Sequence, residues 1–262
     1  MNKTVLITGA SRGIGKAIAF RFSREGFRTV LCARGEGELF RTRDQLLALG
    51  AACLAVTADV GKAEDCRRLF EEAQKAFGTV DILINNAGIF NFMKVVDMTA
   101  ERLNLFVDLH VRSVTQLCRT FALDMLRRGC KGYIFNMASM CCWMPMPGIG
   151  AYAATKAYIR VLSRSMYLEM KDYGISVTVA CPGGISTELF GLSPKLRKLA
   201  VRIGALTTPE RFARNALRRV FNRRKQYVNG LLNRIAIVAV NNLPTCLCVQ
   251  VKHRLLDKNI TR

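Results

Sequence analysis

Three polar side chains in the middle of the chain have the types and spacing for acid–base chemistry. Tyr152 and Lys156 are four residues apart, so on a helix they would lie on one face, with about 6 Å between their Cβ atoms. A phenol with a pKa near 10 exchanges a proton poorly at pH 7 unless a cation stands beside it, and Lys156 offers that cation, which would lower the pKa of Tyr152. Ser139 offers a hydroxyl that can hydrogen-bond an oxygen on which charge develops. A tyrosine and a lysine at this spacing are more often an ordinary surface pair, so the case for catalysis depends on the rest of the chain.

A glycine-rich segment near the N-terminus has the composition of a phosphate-binding turn. Gly9, Gly13 and Gly15 follow an apolar run directly and open a segment of helical period. Glycines there allow a tight turn and let backbone N–H groups approach a pyrophosphate at a helix N-terminus, where the helix dipole favours negative charge. The spacing Gly-x3-Gly-x-Gly departs from the usual G-x-G-x-x-G, so its strand–turn–helix context is what makes it informative.

The elements that must position these residues alternate along the chain. Short β-branched runs predict strands at 4–8, 29–32, 53–57, 81–85, 133–137 and 176–180, with a last one at 226–228. Segments of helical period predict helices at 14–25, 38–49, 63–77, 100–128, 152–172 and 209–222. Nearly wholly apolar strands spaced by helices indicate a parallel sheet covered on both faces. The sequence therefore predicts an α/β fold with a doubly wound, Rossmann-type parallel sheet in a single domain at 1–230, followed by a basic, apolar C-terminal extension at 231–262.

Five motifs in order make the chain resemble the short-chain dehydrogenase/reductase family. They are Thr8-Gly9-x3-Gly13-x-Gly15, Asn85-Asn86-Ala87-Gly88, Ser139, Tyr152-x3-Lys156 and Pro182-Gly183, and they span roughly residues 3–190. The resemblance implies an oxidoreductase that passes hydride between a nicotinamide and a carbonyl carbon. It implies Tyr152 as the proton donor, Ser139 as the ligand of the carbonyl oxygen, and Lys156 as the residue that also holds the nicotinamide ribose.

The resemblance also implies the residues of the nicotinamide dinucleotide site. It places Asp59 at the adenine, Asn86 and Gly88 at the adenosine ribose, and Ile185 and Thr187 at the carboxamide. The full expected set is Gly9, Ser11, Arg12, Gly13, Ile14, Gly15, Arg34, Asp59, Val60, Asn86, Ala87, Gly88, Tyr152, Lys156, Pro182, Gly183, Ile185 and Thr187. No metal site is expected.

The residues after the second predicted strand favour NADP(H) over NAD(H). An NAD site needs a carboxylate there for the ribose 2′-OH, whereas a 2′-phosphate needs cations. The chain has Ala33 at that position, followed by Arg34, and Arg12 adds a second guanidinium in the glycine turn. The alternative is that both arginines are merely exposed to solvent.

One residue departs from the family pattern. The family commonly has an asparagine in the long helix after the Asn-Asn-Ala-Gly motif, where it helps to place a water on the proton relay to lysine, and this chain has His110. His110 is either a helix residue whose ring nitrogens are satisfied or an imidazole that holds a water or shuttles a proton. We include it as a fourth candidate catalytic residue.

The segment after Ser139 suggests an apolar substrate. Residues 140–146 read Met-Cys-Cys-Trp-Met-Pro-Met, and unbranched sulfur-containing side chains fill irregular apolar space. With an amphipathic lid at 189–204, this favours a lipophilic ketone such as a 3-oxoacyl chain, a keto-lipid or a steroid, although plain core packing explains any single residue equally well. The chain is loosely similar to reductases of such substrates. The alternative function is a nucleotide-binding scaffold or sensor that has lost turnover.

The C-terminal part of the chain is strongly basic. From residue 195 onward there are 16 Lys and Arg against 2 Asp and Glu, which gives +14 of the total formal charge of +21. Residues 231–251 are mostly apolar but carry interrupting polar residues, which argues against a transmembrane span. Flanked by cations that include Lys258, they suit either an anionic membrane surface or a subunit interface. We expect a homo-oligomer, a dimer or a tetramer, and no nucleic-acid partner, because the tail lacks interleaved aromatic residues.

The N-terminus and the cysteines indicate a cytoplasmic protein, and the basic tail leaves open a peripheral position at the inner face of a membrane. The apolar stretch after Lys3 is too short for the core of a secretory signal. The ten cysteines form no paired CxxC set, and a chain of 262 residues can bury a core without disulfides.

Overall fold

A seven-stranded sheet, all of whose strands run parallel, forms the centre of the molecule. The structure is a computed structural model that describes residues 3–190 and 193–256. The strands are β1 (Thr4–Thr8), β2 (Arg28–Ala33), β3 (Cys53–Thr57), β4 (Ile82–Asn85), β5 (Tyr133–Met137), β6 (Ser176–Ala180) and β7 (Gln226–Tyr227). Their order across the sheet is β3-β2-β1-β4-β5-β6-β7, so the chain reverses its direction of winding between β1 and β4.

Helices cover both faces of this sheet. They are α1 (Gly13–Arg24), α2 (Glu36–Leu47), α3 (Ala63–Phe77), α4 (Ala100–Val107), α5 (Ser113–Arg127), α6 (Gly150–Glu169), α7 (Pro194–Arg202), α8 (Pro209–Phe221), α9 (Leu231–Asn241) and α10 (Thr245–Leu255). Successive strand residues point to opposite faces, so Val5 and Ile7 pack in the core under α1, α2 and α8, while Leu6 packs in the core under α3, α5 and α6. The doubly wound, Rossmann-type fold predicted from the sequence is confirmed.

The long helix predicted at 100–128 consists of three consecutive pieces. Between α4 and α5 the chain makes a π-helical turn at Asp108–Arg112, in which the N–H of Ser113 bonds to the carbonyl oxygen of Asp108. In a regular α-helix that N–H would bond to Leu109 O, but the Ser113 hydroxyl donates to this oxygen at 2.6 Å. The prediction of helical structure at 100–128 is confirmed over Ala100–Arg127, and the widened turn is an irregularity within it that the sequence pattern did not predict. Turns of this kind are frequent at functional sites.

The C-terminal segment forms two short helices. α9 ends at Asn241 and α10 begins at Thr245, directly after Pro244, and their axes are bent by 102°. Among the described residues no single helix is long and apolar enough to cross a membrane, while this bent pair has the length and composition for it. In the expected lid, α7 follows a 3-10 turn at Glu188–Phe190, and residues 191 and 192 lie outside the described part of the chain, as does Lys258.

Candidate active site

Two loops at the carboxyl ends of β1 and β4 are bonded to each other. Thr8 Oγ1 accepts the N–H groups of Asn86 and Ala87, each at 3.0 Å, and the Asn86 amide donates to Thr8 O and Gly9 O at 3.0 and 3.1 Å. A Cβ at Gly15 would overlap Gly9 O and the Asn86 amide, so only glycine allows this approach. The two loops meet where the winding of the sheet reverses, which is where ligands bind in open α/β sheets.

The N-terminus of α1 has the features of an anion site. Its N-cap residue, Arg12, makes no side-chain cap hydrogen bond, so no side chain of the cap occupies the N–H groups of the first turn. Gly9 and Gly13 have φ values of +66° and +57°, which L side chains rarely adopt. A Cβ at Gly13 would come within 3.3 Å of the Thr187 methyl group, so the loop after β6 lies over the glycine turn. Ser11 and Ile14 lie in the same turn, as expected.

The residues expected at the adenosine end lie along the same edge of the sheet. Asp59 and Val60 follow β3, and Asp59 Oδ1 accepts the N–H of Gly61 at 3.1 Å. Arg34 follows β2 and is exposed; within the described ranges it forms no ion pair. Arg12 differs, because it lies 3.6 Å from the Glu188 carboxylate. Arg34 is therefore the more available cation of the two.

A buried asparagine that the sequence analysis missed holds the loop after β6. Asn229 is 4% exposed. Its Oδ1 accepts the N–H of Gly183 at 2.7 Å, and its Nδ2 donates to Thr207 Oγ1 at 3.2 Å. Thr207 in turn pairs with Ile185 as an isolated parallel bridge. Asn229 thus fixes the segment Pro182–Thr187, which was expected to meet the nicotinamide.

Ser139, Tyr152 and Lys156 are all buried, at 7%, 4% and 4% exposure, and they converge at the carboxyl end of β5. Ser139 caps a 3-10 turn at Met140–Trp143 and accepts the N–H of Cys141 at 3.2 Å. Lys156 donates to Met137 O at 3.0 Å, and its Nζ lies 5.7 Å from the centroid of the Tyr152 ring. Tyr152 and Lys156 are not an ordinary surface pair, since both side chains are buried inside the protein.

The protonation of these groups is governed by burial. Burial lowers the pKa of Lys156 to about 8, so it is still mostly cationic at pH 7. Burial also raises the pKa of Tyr152, although the Ser139 hydroxyl opposes this shift. The net shift in the pKa of Tyr152 is therefore upward, contrary to the expected lowering, because the loss of hydration of the phenolate dominates. Tyr152 is therefore a protonated phenol at neutral pH.

His110 lies inside the π-helical turn and contacts both the loop after β4 and α6. Its Nε2 accepts the N–H of Ile89 at 3.1 Å, and its Nδ1 lies 2.9 Å from Thr155 Oγ1. It is 0% exposed, and burial, with a smaller contribution from the Lys156 charge, lowers its pKa to about 2. His110 is therefore a neutral imidazole at neutral pH. Its ring also packs edge-on against Tyr152, with 5.9 Å between centroids.

The structure thus brings all four candidate catalytic residues together, and it adds residues that the sequence did not single out. Thr155 lies within the Tyr152-x3-Lys156 motif, where only its spacing from the tyrosine could have drawn attention to it. Phe90 packs against Tyr152 at 5.1 Å between centroids. A separate cavity of about 370 Å³ lies between the 3-10 turn, β7 and α9, and its lining residues are Trp143, Gln226, Val228, Arg234 and Ile237. None of the four catalytic candidates lines that cavity.

A search against known families matches this arrangement to one of them. The short chain dehydrogenase family matches residues 3–196, which include every motif described above. The match covers more than half of the chain and ends within α7, so α8 to α10 lie outside it.

Individual relatives agree with the family match. Among curated proteins, the 3beta-hydroxysteroid dehydrogenase 1 of Eggerthella lenta is 37% identical over 188 residues, which are 71% of this chain and 72% of that protein. A short chain dehydrogenase/reductase from Burkholderia phymatum in complex with NAD has a TM-score of 0.80 at 26% identity and covers 100% of this chain and 95% of its own. A short-chain dehydrogenase from Sphingobium yanoikuyae in complex with NADPH has a TM-score of 0.77 at 28% identity, with 99% and 96% coverage.

Proposed function

Because the chain belongs to the short-chain dehydrogenase family, and is therefore an oxidoreductase that uses a nicotinamide nucleotide, we propose that it reduces a lipophilic ketone to a secondary alcohol with NADPH. The observation that carries this proposal is the convergence of Ser139, Tyr152 and Lys156 beside the bonded loops that follow β1 and β4. A catalytically weak nucleotide-binding scaffold, the alternative, gives no reason to bury a lysine and a tyrosine together.

The residues present fit a nicotinamide dinucleotide. Gly9 and Gly15 let the loops after β1 and β4 pack closely, since a Cβ at either position would overlap that contact, and the first turn of α1 carries no side-chain cap. In this proposal the turn from Gly9 to Gly15 holds the pyrophosphate, and the loop at 182–187 holds the carboxamide. When bound, the nicotinamide supplies hydride to the carbonyl carbon.

The side chains of the site supply the rest of the reaction. Ser139 donates a hydrogen bond to the carbonyl oxygen and stabilises the charge that develops there. Tyr152, protonated because burial raises its pKa, donates its proton to that oxygen. Lys156, whose pKa of about 8 leaves it cationic at pH 7, favours the tyrosinate that forms.

The preference for NADPH rests on the end of β2. Ala33 has no carboxylate to accept the ribose 2′-OH, and Arg34 is an exposed guanidinium without an ion pair in the described part of the chain. Known structures similar to this chain contain NAD as well as NADPH, so the fold alone does not choose between them. A phosphate at the 2′ position would form charge-assisted hydrogen bonds with Arg34.

The lipophilic substrate class rests on the side chains around the site. Tyr152 is packed against Phe90 and Phe106, and the 3-10 turn after Ser139 carries Met, Cys and Trp residues. In the expected lid, Leu196 and Leu199 on α7 and Ile203 directly after it are 55%, 55% and 68% exposed. We therefore expect a 3-oxoacyl thioester, a keto-lipid or a steroid rather than a small polar acid.

Oxidation of NADPH with a panel of these ketones tests the proposal. At least one lipophilic ketone should be turned over, and small polar keto acids should not. The Ser139→Ala protein serves as the control, because it keeps the nucleotide site. Nucleotide binding without turnover of any ketone in the panel would favour the scaffold.

The C-terminal extension at 231–262 is proposed to bring the protein to an anionic membrane surface, at the inner face, from a cytoplasmic pool. On α9, Leu231, Leu232, Ile235 and Val238 are 70%, 68%, 56% and 64% exposed, and the flanking sequence is basic. A membrane would bury this apolar area while its lipid headgroups pair with the cations. Burial of α9 in a homodimer or homotetramer is the competing proposal. We also propose that the catalytic domain ends at residue 230, where this extension begins.

Co-sedimentation with liposomes separates the two. The full chain should bind vesicles that contain anionic lipid, and binding should weaken as salt rises. Leu232→Gln and Val238→Gln should reduce binding, whereas Leu168→Gln on α6, where the leucine is 70% exposed, should not. If the α9 changes alter oligomer size and the protein never sediments, the subunit interface is correct.

A further inference from the structure

The two ring nitrogens of His110 have different and fully assigned hydrogen-bonding roles. The backbone N–H of Ile89 can only donate, so Nε2 must be the acceptor in this bond of 3.1 Å. The other nitrogen of a neutral ring then carries the hydrogen, and Nδ1–H donates to Thr155 Oγ1 at 2.9 Å. The Thr155 hydroxyl donates its own hydrogen bond to the backbone carbonyl oxygen of Tyr152 at 2.9 Å. Each hydrogen-bond donor in this series therefore has an acceptor.

This chain of bonds connects the loop after β4 to the helix that carries the reacting phenol. At one end, Ile89 is next to Gly88, and a Cβ at Gly88 would lie 3.1 Å from His110 Nε2 and 3.5 Å from Lys156 Nζ. At the other end, Thr155 is on α6 between Tyr152 and Lys156. The imidazole ring therefore occupies the space between the two segments that must keep a fixed distance for proton transfer.

The surroundings keep the ring from taking up a proton. Lys156 and Tyr152 face it from α6, Phe106 packs against it from α4, and on its own turn Asp108 is paired with Arg112 at 2.6 Å. A proton on Nε2 would place two donors, Nε2–H and the Ile89 N–H, against each other. It would also put a second positive charge near the Lys156 ammonium. The site therefore has no carboxylate to compensate a buried imidazolium among the residues described.

We propose that His110 and Thr155 are positioning residues, which fix Tyr152 by tying its helix to the loop after β4, and that the imidazole carries no proton in the reaction. The proposal rests on the function proposed above. His110, which stands where the family commonly has asparagine, then holds α6 in position. Thr155 joins the residues on which the rate depends.

Nitrogen-15 NMR of the histidine rings tests the second half without any reference to activity. The chain has only two histidines, so His253→Asn assigns both ring systems. The His110 signals should show the neutral ring with hydrogen on Nδ1 and no protonation of the ring between about pH 5 and 9, apart from a small shift as Lys156 titrates. Protonation of the ring in this range, or hydrogen on Nε2, would overturn the proposal.

Kinetics of Thr155 variants test the positioning role. Thr155→Val should lower kcat by about tenfold, because a loosely held catalytic group is costly, while the Kd for NADPH changes by less than about twofold. Thr155→Ser should restore kcat. Thr115→Val is the matched control on α5, because Thr115 also donates to a helix carbonyl, Val111 O at 2.8 Å, but has no contact with the site.

The pH profile separates positioning from a general loss of stability. Thr155→Val should shift the pH dependence of kcat, since the phenol moves relative to Lys156, and His110→Asn should remove no limb near pH 6.5. A variant that lowers Tm but leaves kcat per folded molecule and its pH profile unchanged would show a purely structural role. Should Tyr152→Phe keep full activity in parallel, the proposed function fails, and the NMR result still stands on its own.

Discussion

Apolar side chains in the sheet region and in the C-terminal helices are placed in opposite ways. Leu6, Leu83 and Ile134 of the sheet are 0% exposed, whereas Leu231 and Leu232 at the start of α9 are 70% and 68% exposed. The same residue type thus fills a core in one region and faces solvent in the other. Exposed apolar patches of this kind mark surfaces that bind something.

The boundary of the family match follows this difference. Residues 3–196 match the short chain dehydrogenase family and contain the two cores of the sheet, while α8 extends one of those cores from outside the match. α9 and α10 contribute no fully buried side chain among the residues described. The buried core of the described chain therefore lies in the sheet and in the helices up to α8, and the last two helices lie at its surface.

The largest expected effect is on folding stability. Leu83→Ala should lower the free energy of unfolding by about 2–5 kcal/mol, because it leaves a cavity in the core. Leu232→Ala should change it by less than about 0.5 kcal/mol in the absence of lipid. Urea unfolding of both proteins measures this contrast, and equal losses would show that α9 packs as a core helix does.

The second expected effect is on the rate. Tyr152→Phe should lower kcat by about 100-fold or more, since it removes the proton donor, with the Kd for NADPH nearly unchanged. Tyr158→Phe is the matched control on the same helix, where the hydroxyl lies 2.7 Å from Thr115 Oγ1 instead. Initial rates of NADPH oxidation decide it, and a Tyr152→Phe protein with more than about a tenth of the normal rate contradicts the assignment.

The third expected effect is on nucleotide binding, and it compares a cation of the sheet region with a cation of the C-terminal part of the chain. Arg34→Ala should weaken NADPH binding by about 1.5–3 kcal/mol and leave NADH binding unchanged, because only the 2′-phosphate is lost as a partner. Arg202→Ala on α7 should affect neither. Fluorescence titration with both nucleotides provides the measurement; equal losses for NADPH and NADH would mean that Arg34 does not bind the phosphate.

The fourth expected effect is on the pH dependence of stability, and it compares variants of the two histidines. His110 has a pKa of about 2 in the fold and about 6.5 when unfolded. Because the unfolded chain binds the extra proton, stability falls as pH decreases below 6.5, by about 1.4 kcal/mol per pH unit at the steepest. His110→Asn should remove this slope, and His253→Asn, an exposed histidine on α10, should not. Unfolding curves at pH 7 and pH 5 measure the dependence of stability on pH. The same dependence in the wild type and in His110→Asn would mean that the ring is accessible to solvent.

The smallest effect belongs to single cations of the tail. Arg254→Gln should weaken binding to anionic vesicles by about 1 kcal/mol, or roughly fivefold. Arg67→Gln, an exposed cation on α3, should leave vesicle binding unchanged. Sedimentation at low salt gives both values, and equal effects would mean that net charge alone drives the association.

Local pattern was enough to predict most of the sheet. The bounds of β1, β3, β5 and β6 agree with the prediction, because short apolar runs rich in β-branched residues mark buried parallel strands. The π-helical turn between α4 and α5 could not be predicted, because the helical period of the sequence is continuous through it.

The site divides in the same way. Motif residues such as Ser139 and Tyr152 were predicted, because their types and spacing are tied to the chemistry. Thr155 and Asn229 were missed as partners, since the groups they contact are 45 and 46 residues away in the chain. No periodicity records which distant N–H a buried polar side chain will meet, and only the folded chain shows it.

The contact between α9 and the loop after β6 has a thermodynamic consequence. The Asn233 amide donates to Asn229 O at 2.6 Å, and a Cβ at Gly183 would overlap the Asn233 side chain. If the loop at 182–187 holds the nucleotide as proposed, a partner that binds α9 and shifts this side chain would change the affinity of the loop for the nucleotide. Linkage is reciprocal, so the nucleotide must change the affinity of α9 for that partner by the same factor. Occupancy of the cofactor site would then affect binding at α9, a surface that takes no part in hydride transfer.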